Sequence, residues 1–382
     1  MLSTEPRAKV ALIPVDDYSP TKVKTAMQEG MDLLGIPSQP FAGQRLLIKP
    51  NLLTASTPEQ AVCTHPEVVG AVIDTLGRGA REVWVGDSPG IGSGVKVAAR
   101  LGLTEVCASR GAQLLDLTEP EEAACPKGAV VKRLPISRRV LAADAVVTCA
   151  KLKTHGLTGY TGAVKNLYGC IPGTFKAQLH LRFREIEDFS GMLVDLYQRI
   201  SPQLAVIDGI VAMEGPGPRN GQPKKLGALI VSRDGVAADA VACQLIGVDP
   251  LSIVPLRLAE ERGVGRANPK FIDVVGASIS QLKQDDFQTV SGTHTSIRGL
   301  PPLLHRWLQA YAFAQPVVEP ELCQSCRICE RHCPPGAITM KDVAVIDYQS
   351  CIRCYCCQEL CPHAAITLQR GWLNRLLSRW HR

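Results

Sequence analysis

The sequence is poor in aromatics and carries little charge of either sign in excess. Phe, Trp and Tyr supply 5% of the 382 residues, charged residues 20%, and the formal net charge is +6. A nucleic-acid binder needs a basic patch interleaved with stacking aromatics; no such run occurs, and nucleic acid is excluded as a partner. No apolar stretch reaches the ~18 residues that a membrane span requires. The longest, around residues 140–150, is interrupted by Asp144. The opening residues, MLSTEPRAKV, lack the apolar core of a secretory signal. These absences predict a cytoplasmic protein without a transmembrane segment. With 46% apolar residues over this length, two domains are expected.

Cysteine is what the chain has in excess. There are 15, and nine lie between residues 323 and 361. A disulfide framework spreads its cysteines and accompanies export, so local clustering here points to metal. Two runs align at an offset of 28 residues: CQSCRICERHCPPGAIT from Cys323 and CIRCYCCQELCPHAAIT from Cys351. Each reads C-x2-C-x2-C-x3-C-P, the bacterial ferredoxin spacing, in which the fourth cysteine ligates the other cluster. Cluster one is therefore assigned to Cys323, Cys326, Cys329 and Cys361, and cluster two to Cys351, Cys354, Cys357 and Cys333. The cofactors expected are two 4Fe–4S clusters. Zinc ribbons use paired C-x2-C units instead, which this pattern does not match. A module of ~50 residues has too little core to fold alone, so ligation supplies part of its stability. Pro334 and Pro362 stop the chain from continuing as a helix. Ile338 and Ile366 occupy equivalent places and are expected to pack between the clusters. Cys356 breaks the repeat, standing opposite Ile328. It reads as a bystander, with a ligand to a three-iron or non-cubane cluster as the alternative. From Glu321 to Arg370 five acids balance five bases. Electrostatic steering of a partner is weak in such a module, which suits one that serves its own chain.

Residues 1–276 alternate between short Val/Ile/Leu-rich runs and helical patterns. Strands are predicted at 8–13, 45–49, 81–86, 112–116, 144–150, 204–208, 227–232 and 271–275. Helices are predicted at 20–34, 66–77, 95–102, 160–168, 188–200, 235–247 and 252–262. The alternation predicts an α/β domain with a largely parallel sheet and helices on both faces, followed by a small α+β ferredoxin-like domain. Residues 277–317 read as a linker with a helix near 303–313, residues 318–370 as the cluster domain, and residues 371–382 as a basic amphipathic helix.

Ligands of such sheets bind beyond the carboxyl ends of the strands. Lys49, Pro50 and Asn51 end one strand. Asp87 and Ser88 end another, ahead of the glycines at 90, 92 and 94, which form either a backbone anion site or a flexible turn. The densest segment runs from Lys151, Lys153, Thr154 and His155 to Lys165 and Asn166. Its lysines suit a carboxylate or phosphate, and His155 can move a proton near neutral pH. A solvated basic loop is the competing reading. Candidate catalytic residues are thus Lys151, Lys153, His155, Lys165 and Asp87. Candidate substrate-binding residues are Lys49, Asn51, Ser88, Asn166 and Glu214. His65 reads as a helix cap and His180 as a surface residue. Asp234 and Asp239 flank a helix start, as caps or ligands. Of the scattered cysteines, Cys170 lies nearest the lysine segment, and the rest read as core.

These segments resemble the domain of unknown function 362 iron–sulfur proteins. The resemblance rests on Lys49-Pro50-Asn51, Gly86-Asp87-Ser88-Pro89, Lys151 to His155, Gly162 to Asn166, the Met213-Glu214-Gly215 loop and Asp234 to Asp239. It spans most of residues 7–276 and includes an appended ferredoxin module. It implies a shared polar pocket and no established reaction.

Three functions are compatible with these features. The first is an oxidoreductase passing electrons through two 4Fe–4S clusters to or from an anionic substrate or cofactor in the α/β domain. The second is a non-catalytic electron-transfer or partner-binding protein. The third is a non-redox enzyme whose clusters are structural or sensory. A redox partner protein (ferredoxin, flavodoxin or reductase) and a small anionic ligand are the partners expected. Trp372, Leu373, Leu376, Leu377 and Trp380 recur at helical spacing opposite Arg375, Arg379 and Arg382, for docking on the protein itself, for peripheral membrane contact or for a partner's groove.

Overall fold

Runs of Val, Ile and Leu can lie buried along their whole length only where a sheet is covered on both sides. The computed structural model, which describes residues 7–290 and 314–369, shows such a sheet. In the large unit the strands are β1 (Ala8–Pro14), β2 (Arg45–Pro50), β3 (Glu82–Asp87), β4 (Gln113–Asp116), β5 (Pro120–Ala124), β6 (Arg133–Ser137), β7 (Ala145–His155), β8 (Gly159–Thr161), β9 (Leu204–Glu214), β10 (Gln222–Ser232) and β11 (Ile272–Gly276). The helices are α1 (Pro20–Leu33), α2 (Pro66–Leu76), α3 (Gly94–Leu101), α4 (Leu103–Ala108), α5 (Arg138–Leu141), α6 (Ala163–Asn166), α7 (Gly173–Arg182), α8 (Ile186–Ile200), α9 (Gly235–Leu245), α10 (Val254–Glu261) and α11 (Ile279–Leu282). The strand order is β11-β1-β10-β9-β7-β2-β3-β4, and β8 pairs with β7. Pairing within this sheet is parallel except at β1–β10, β10–β9 and β7–β8, and β5 pairs antiparallel with β6 outside it. One face packs on α1 to α4 through residues such as Val23, Met27, Val69 and Leu101. The other packs on α8 to α10 through Phe189, Leu193, Val241 and Leu256.

All eight predicted strands are present, and the fold class is as expected. Two differences matter for function. The Lys151–His155 segment is the end of β7, not a loop, because β8 pairs back onto it from Lys153 to His155. The predicted helix at 160–168 shrinks to α6 plus a 3-10 turn through Cys170, and α7 follows it.

The cluster domain contains β12 (Gln315–Val318), α12 (Ile328–Arg331), β13 (Ile338–Met340), β14 (Ala344–Ile346), α13 (Cys356–Leu360) and β15 (Ile366–Gln369). β12 pairs antiparallel with β15, and β13 with β14. The sequence repeat is also a backbone repeat. Left-handed residues recur 28 positions apart: Ser325 and Arg353, Arg327 and Tyr355, Gly336 and Ala364. Ile338 and Ile366 share a small core with Cys329, Cys357 and Cys361. The helix expected near 303–313 and the basic helix expected at 371–382 lie outside the described residues. Among the described residues, no helix is long and apolar enough to cross a membrane.

Candidate functional site

The eight repeat cysteines fall into two sets in space. Cys329 has Cys361, Cys326 and Cys323 within Coulombic reach. Cys351 has Cys354 and Cys333, and Cys357 reaches Cys354, Cys351 and Cys333 before Cys329. The fourth cysteine of each run thus joins the other run's three. A small void is walled by Cys323, Cys326, Cys329 and Cys361 and by apolar Val318, Ile328, Met340, Ala344 and Ile366. Ala337 N donates to Cys333 Sγ at 3.3 Å, and Ala365 N donates to Cys361 Sγ at 3.3 Å, again 28 positions apart. Such N–H···S bonds are among the contacts that set cluster potentials. Among the described residues no three His, Cys, Asp or Glu side chains converge as a single ion requires. A cubane asks for something else, because each thiolate binds a different iron. The thiols walling this void fit a 4Fe–4S cluster.

A cleft of roughly 1610 Å³, open to solvent, lies where the cluster domain meets the carboxyl ends of β2, β3 and β7. Its centre is Lys49, 1% exposed. The Lys49 ammonium donates to Pro50 O at 2.6 Å and Asn166 Oδ1 at 2.7 Å, and pairs with Asp87 Oδ1 at 2.9 Å. Asp87 also accepts from Leu52 N and Ser88 N, each at 2.7 Å. Gly169 closes over this pair; a Cβ there would overlap Asp87 Oδ1 and Lys49 Nζ. Asn166 is fixed by its own donors to Lys49 O and Thr148 Oγ1, both 2.9 Å.

Asp239 positions the segment that carries Lys165 and Asn166. Its carboxyl accepts from Ala163 N at 2.6 Å, Val164 N at 2.9 Å and Tyr160 OH at 3.0 Å, capping α6. Burial raises the Asp239 carboxyl to about 7, against those hydrogen bonds. Asp234 caps α9 instead, accepting from Val236 N and Ala237 N.

Lys153 donates to Val62 O at 2.6 Å and Asn51 Oδ1 at 2.9 Å, and burial lowers its ammonium to about 7. Burial likewise lowers Lys165. His155, 1% exposed, accepts at Nδ1 from Leu157 N at 3.0 Å, so its proton sits on Nε2. Nε2 lies 3.0 Å from Glu359 Oε1 and faces that carboxylate. Burial lowers this imidazole to about 4. Burial would raise Glu359, yet His155, Lys165 and His180 bring it to about 2.

The structure gathers Lys49, Asn51, Asp87, Ser88, Lys153, His155, Lys165 and Asn166 around the cleft. It does not bring Lys151 or Glu214 there. Lys151 is bound to Asp208 Oδ2 at 3.0 Å and Tyr18 OH at 2.9 Å, inside the fold. Glu214 accepts from Gln288 N at 2.8 Å. At the start of α3 Asp116 accepts from Ser93 Oγ and Val95 N, so that helix end is taken, while Gly90 and Gly92 of the glycine loop line the cleft. His180 is buried, not a surface residue: it lines the cleft and stacks on Phe189 with centroids 4.4 Å apart. His65 does cap α2, through Nδ1 and Glu67 N. Cys170 is fully buried outside the cleft, and burial pushes its thiol to about 12. Four cleft residues come from the cluster domain: His332, Cys356, Glu359 and Leu360. Lys176, on α7, was also unforeseen. It donates to Ser88 O, and burial lowers its ammonium to about 8.

The cluster domain is fastened beside this cleft. Arg219 Nη1 donates to Leu360 O at 3.0 Å, Gln358 Nε2 to Pro216 O at 2.9 Å, and Tyr355 OH to Ala314 O at 2.9 Å.

A family model described as domain of unknown function (DUF362) matches residues 46–244, and one described as 4Fe-4S binding domain matches residues 316–339. A thylakoid-associated protein of Synechocystis sp. is 36% identical over 221 residues, which is 58% of this chain and 68% of that protein. Among solved structures, the lactate racemase apoprotein of Thermoanaerobacterium thermosaccharolyticum aligns at 13% identity and a TM-score of 0.40, over 63% of this chain and 57% of that one. A Thermotoga maritima protein aligns at 14% identity and a TM-score of 0.36, over 61% of this chain and 60% of that one.

Proposed function

The chain belongs to the DUF362 family and carries a 4Fe–4S binding domain, and on that premise we propose that it is an oxidoreductase acting on a small anionic ligand held in the cleft. The observation that carries this reading is the cleft's composition. The α13 residues Cys356, Glu359 and Leu360 share one cavity with Lys49, Lys153 and Lys165. Cys357, on the same short helix, belongs to the set with Cys351, Cys354 and Cys333.

In this reading Cys323, Cys326, Cys329 and Cys361 hold one cluster, and Cys351, Cys354, Cys357 and Cys333 hold a second. Two bound 4Fe–4S clusters supply electrons one at a time, drawn from a redox partner protein. The chain's own residues do the rest. Lys165 and Lys153 hold the anion as point charges. Asn166 and Asp87 fix Lys49 behind them. His155 presents its Nε2–H as a hydrogen-bond donor, with Nδ1 tied to backbone. Leu52, Ile91, Pro172 and Leu360 give the cleft an apolar side. We place the protein in the cytoplasm; the thylakoid-associated relative makes peripheral membrane contact the competing location.

The test is anaerobic. Reduced protein is mixed with a panel of small carboxylates and phosphate esters, and cluster reoxidation is followed by absorbance. A substrate speeds reoxidation, and Lys165→Ala lowers kcat/KM about tenfold or more, the scale of one buried charge contact, at unchanged iron content. Equal rates in Lys165→Ala for every compound contradict the catalytic assignment. The pH dependence has a definite sign. Lys153 is protonated below about 7 and neutral above, so KM for the anion rises as pH climbs through that value.

A further inference from the structure

The loop that joins β9 to β10 leaves the sheet and grips the cluster domain. Asn220 Nδ2 donates to Gln358 O at 3.3 Å and Arg219 Nη1 to Leu360 O at 3.0 Å, while Gln358 Nε2 returns a bond to Pro216 O at 2.9 Å. Gln358 O and Leu360 O stand at the C-terminal end of α13, where carbonyls have no further helical N–H to accept from. Leu360 O belongs to the peptide that carries the Cys361 N–H. The Arg219 guanidinium is thus one peptide link from a cluster ligand.

Arg219 is half-buried, and among the described residues its charge meets no carboxylate. The anionic groups within its Coulombic reach are two thiols, Cys361 first and then Cys63. Cys63 donates its own proton to Thr54 O at 3.4 Å, so it is present as a thiol. A guanidinium keeps its charge throughout the pH range of proteins, and one withdrawn from water needs a counter-charge. A Cys361 thiolate bound to iron supplies it. The repeat makes the contact one-sided. Ala365 N donates to Cys361 Sγ and Ala337 N to Cys333 Sγ, each at 3.3 Å. Leu360 matches His332 across the 28-residue offset, yet among the described residues no arginine donates to the His332 carbonyl. Cluster two has Arg353 within reach of Cys351, a cation of the cluster domain itself.

We propose that Arg219, a residue of the large unit, is the counter-charge of cluster one and raises that cluster's reduction potential. The inference goes beyond the cleft and rests on the crossed ligand sets above. Reduction adds one electron, and so one negative charge, to the cluster. A fixed cation nearby stabilises the reduced form more than the oxidised one, which moves the potential up. A second cation approaches the same cluster, since Arg331 Nη2 donates to Cys326 O at 3.0 Å. Arg331 is exposed, so water and salt screen it. Arg219 lies in the seam between the two units, where screening is weaker. Docking on the large unit therefore sets part of the potential of cluster one.

The experiment is an anaerobic dithionite titration of the full-length protein, followed by EPR, with the two signals assigned by Cys361→Ala and Cys333→Ala. Arg219→Gln keeps an amide donor for Leu360 O and removes the charge. Its cluster-one midpoint is expected to fall by about tenfold in the reduction equilibrium, the Coulomb scale of one partly buried charge at ~10 Å. For a one-electron couple that is about 59 mV. Cluster two is expected to move much less. Arg219→Lys keeps the charge and is expected to stay close to wild type. Arg331→Gln is expected to give a smaller shift, and Asn220→Ala, which removes a docking contact without a charge, none. An unmoved cluster-one midpoint in Arg219→Gln, or one that moves no more than in Arg331→Gln, overturns the proposal. So does a shift shared equally by both clusters or matched by Arg219→Lys or Asn220→Ala, because each marks loosened docking and not lost charge. If Arg219→Gln sheds iron, clusters kept in Arg219→Lys support the counter-charge, and clusters lost in both variants overturn it. If Cys361→Ala removes the same signal as Cys333→Ala, the crossed ligand sets fall and this proposal falls with them.

Discussion

Replacing Cys361 by Ala is expected to damage the cluster built on the first cysteine run, although Cys361 stands in the second. Cys361 walls the void with Cys323, Cys326 and Cys329, and Cys329 has it first among its thiol neighbours. Iron content should fall from about eight per chain to about four when a fourth ligand is lost and its cubane is not retained. The grouping is read by EPR of the reduced protein. The signal surviving in Cys361→Ala must be the one surviving in Cys323→Ala, and must differ from that left in Cys333→Ala and Cys351→Ala. If Cys361→Ala instead matches Cys351→Ala, the two runs are independent and the crossed assignment is wrong.

Tyr355→Ala is expected to have the largest effect of any change outside the cysteines. Tyr355 is 1% exposed and, although part of the cluster domain, sits within the core of the large unit. Its hydroxyl donates to Ala314 O at 2.9 Å. Truncating a buried aromatic costs about 3–5 kcal/mol, more when a hydrogen-bonding group is orphaned as well. Anaerobic urea unfolding followed by circular dichroism measures the loss. The cleft should suffer too, since its α13 wall follows directly after Tyr355. A midpoint shift worth under about 1 kcal/mol contradicts the anchoring role, that being the range of an ordinary surface substitution.

Much of the architecture was legible in the sequence, for physical reasons. The inner strands carry apolar runs, such as Leu46–Ile48, Ala145–Ala150 and Ala228–Val231, because both faces of the sheet are covered, and buried runs of that kind stand out. The cysteine repeat was legible because cluster ligation imposes its spacing on a short loop. The backbone then repeats the same left-handed positions 28 residues apart. The cleft was only half legible. Lys49, Asp87, Lys153, Lys165 and Asn166 lie at or near strand ends, where an open sheet binds ligands. Lys151 has the same alternation as Lys153 and His155, but the β7–β9 register shifts between Lys151 and Lys153, and Asp208 claims its charge. No pattern along the chain announces such a bulge. His332, Cys356 and Glu359 were missed because they reach the cleft only through the docking of a domain more than a hundred residues downstream. Lys176 and His180 were missed because α7 buries only Leu179 and His180 and so shows little helical periodicity. Cys356 illustrates the difference best. In the sequence it is a break in a repeat; in the fold it lines the cavity.

One spectroscopic comparison bears on the whole account. Reduced protein is measured by EPR with and without malonate. Because α13 carries both a cleft wall and Cys357, the ligand should shift the signal that survives in Cys361→Ala and leave its companion unchanged. A ligand that binds but shifts only the companion signal, or neither, contradicts a cleft formed against the second cysteine set.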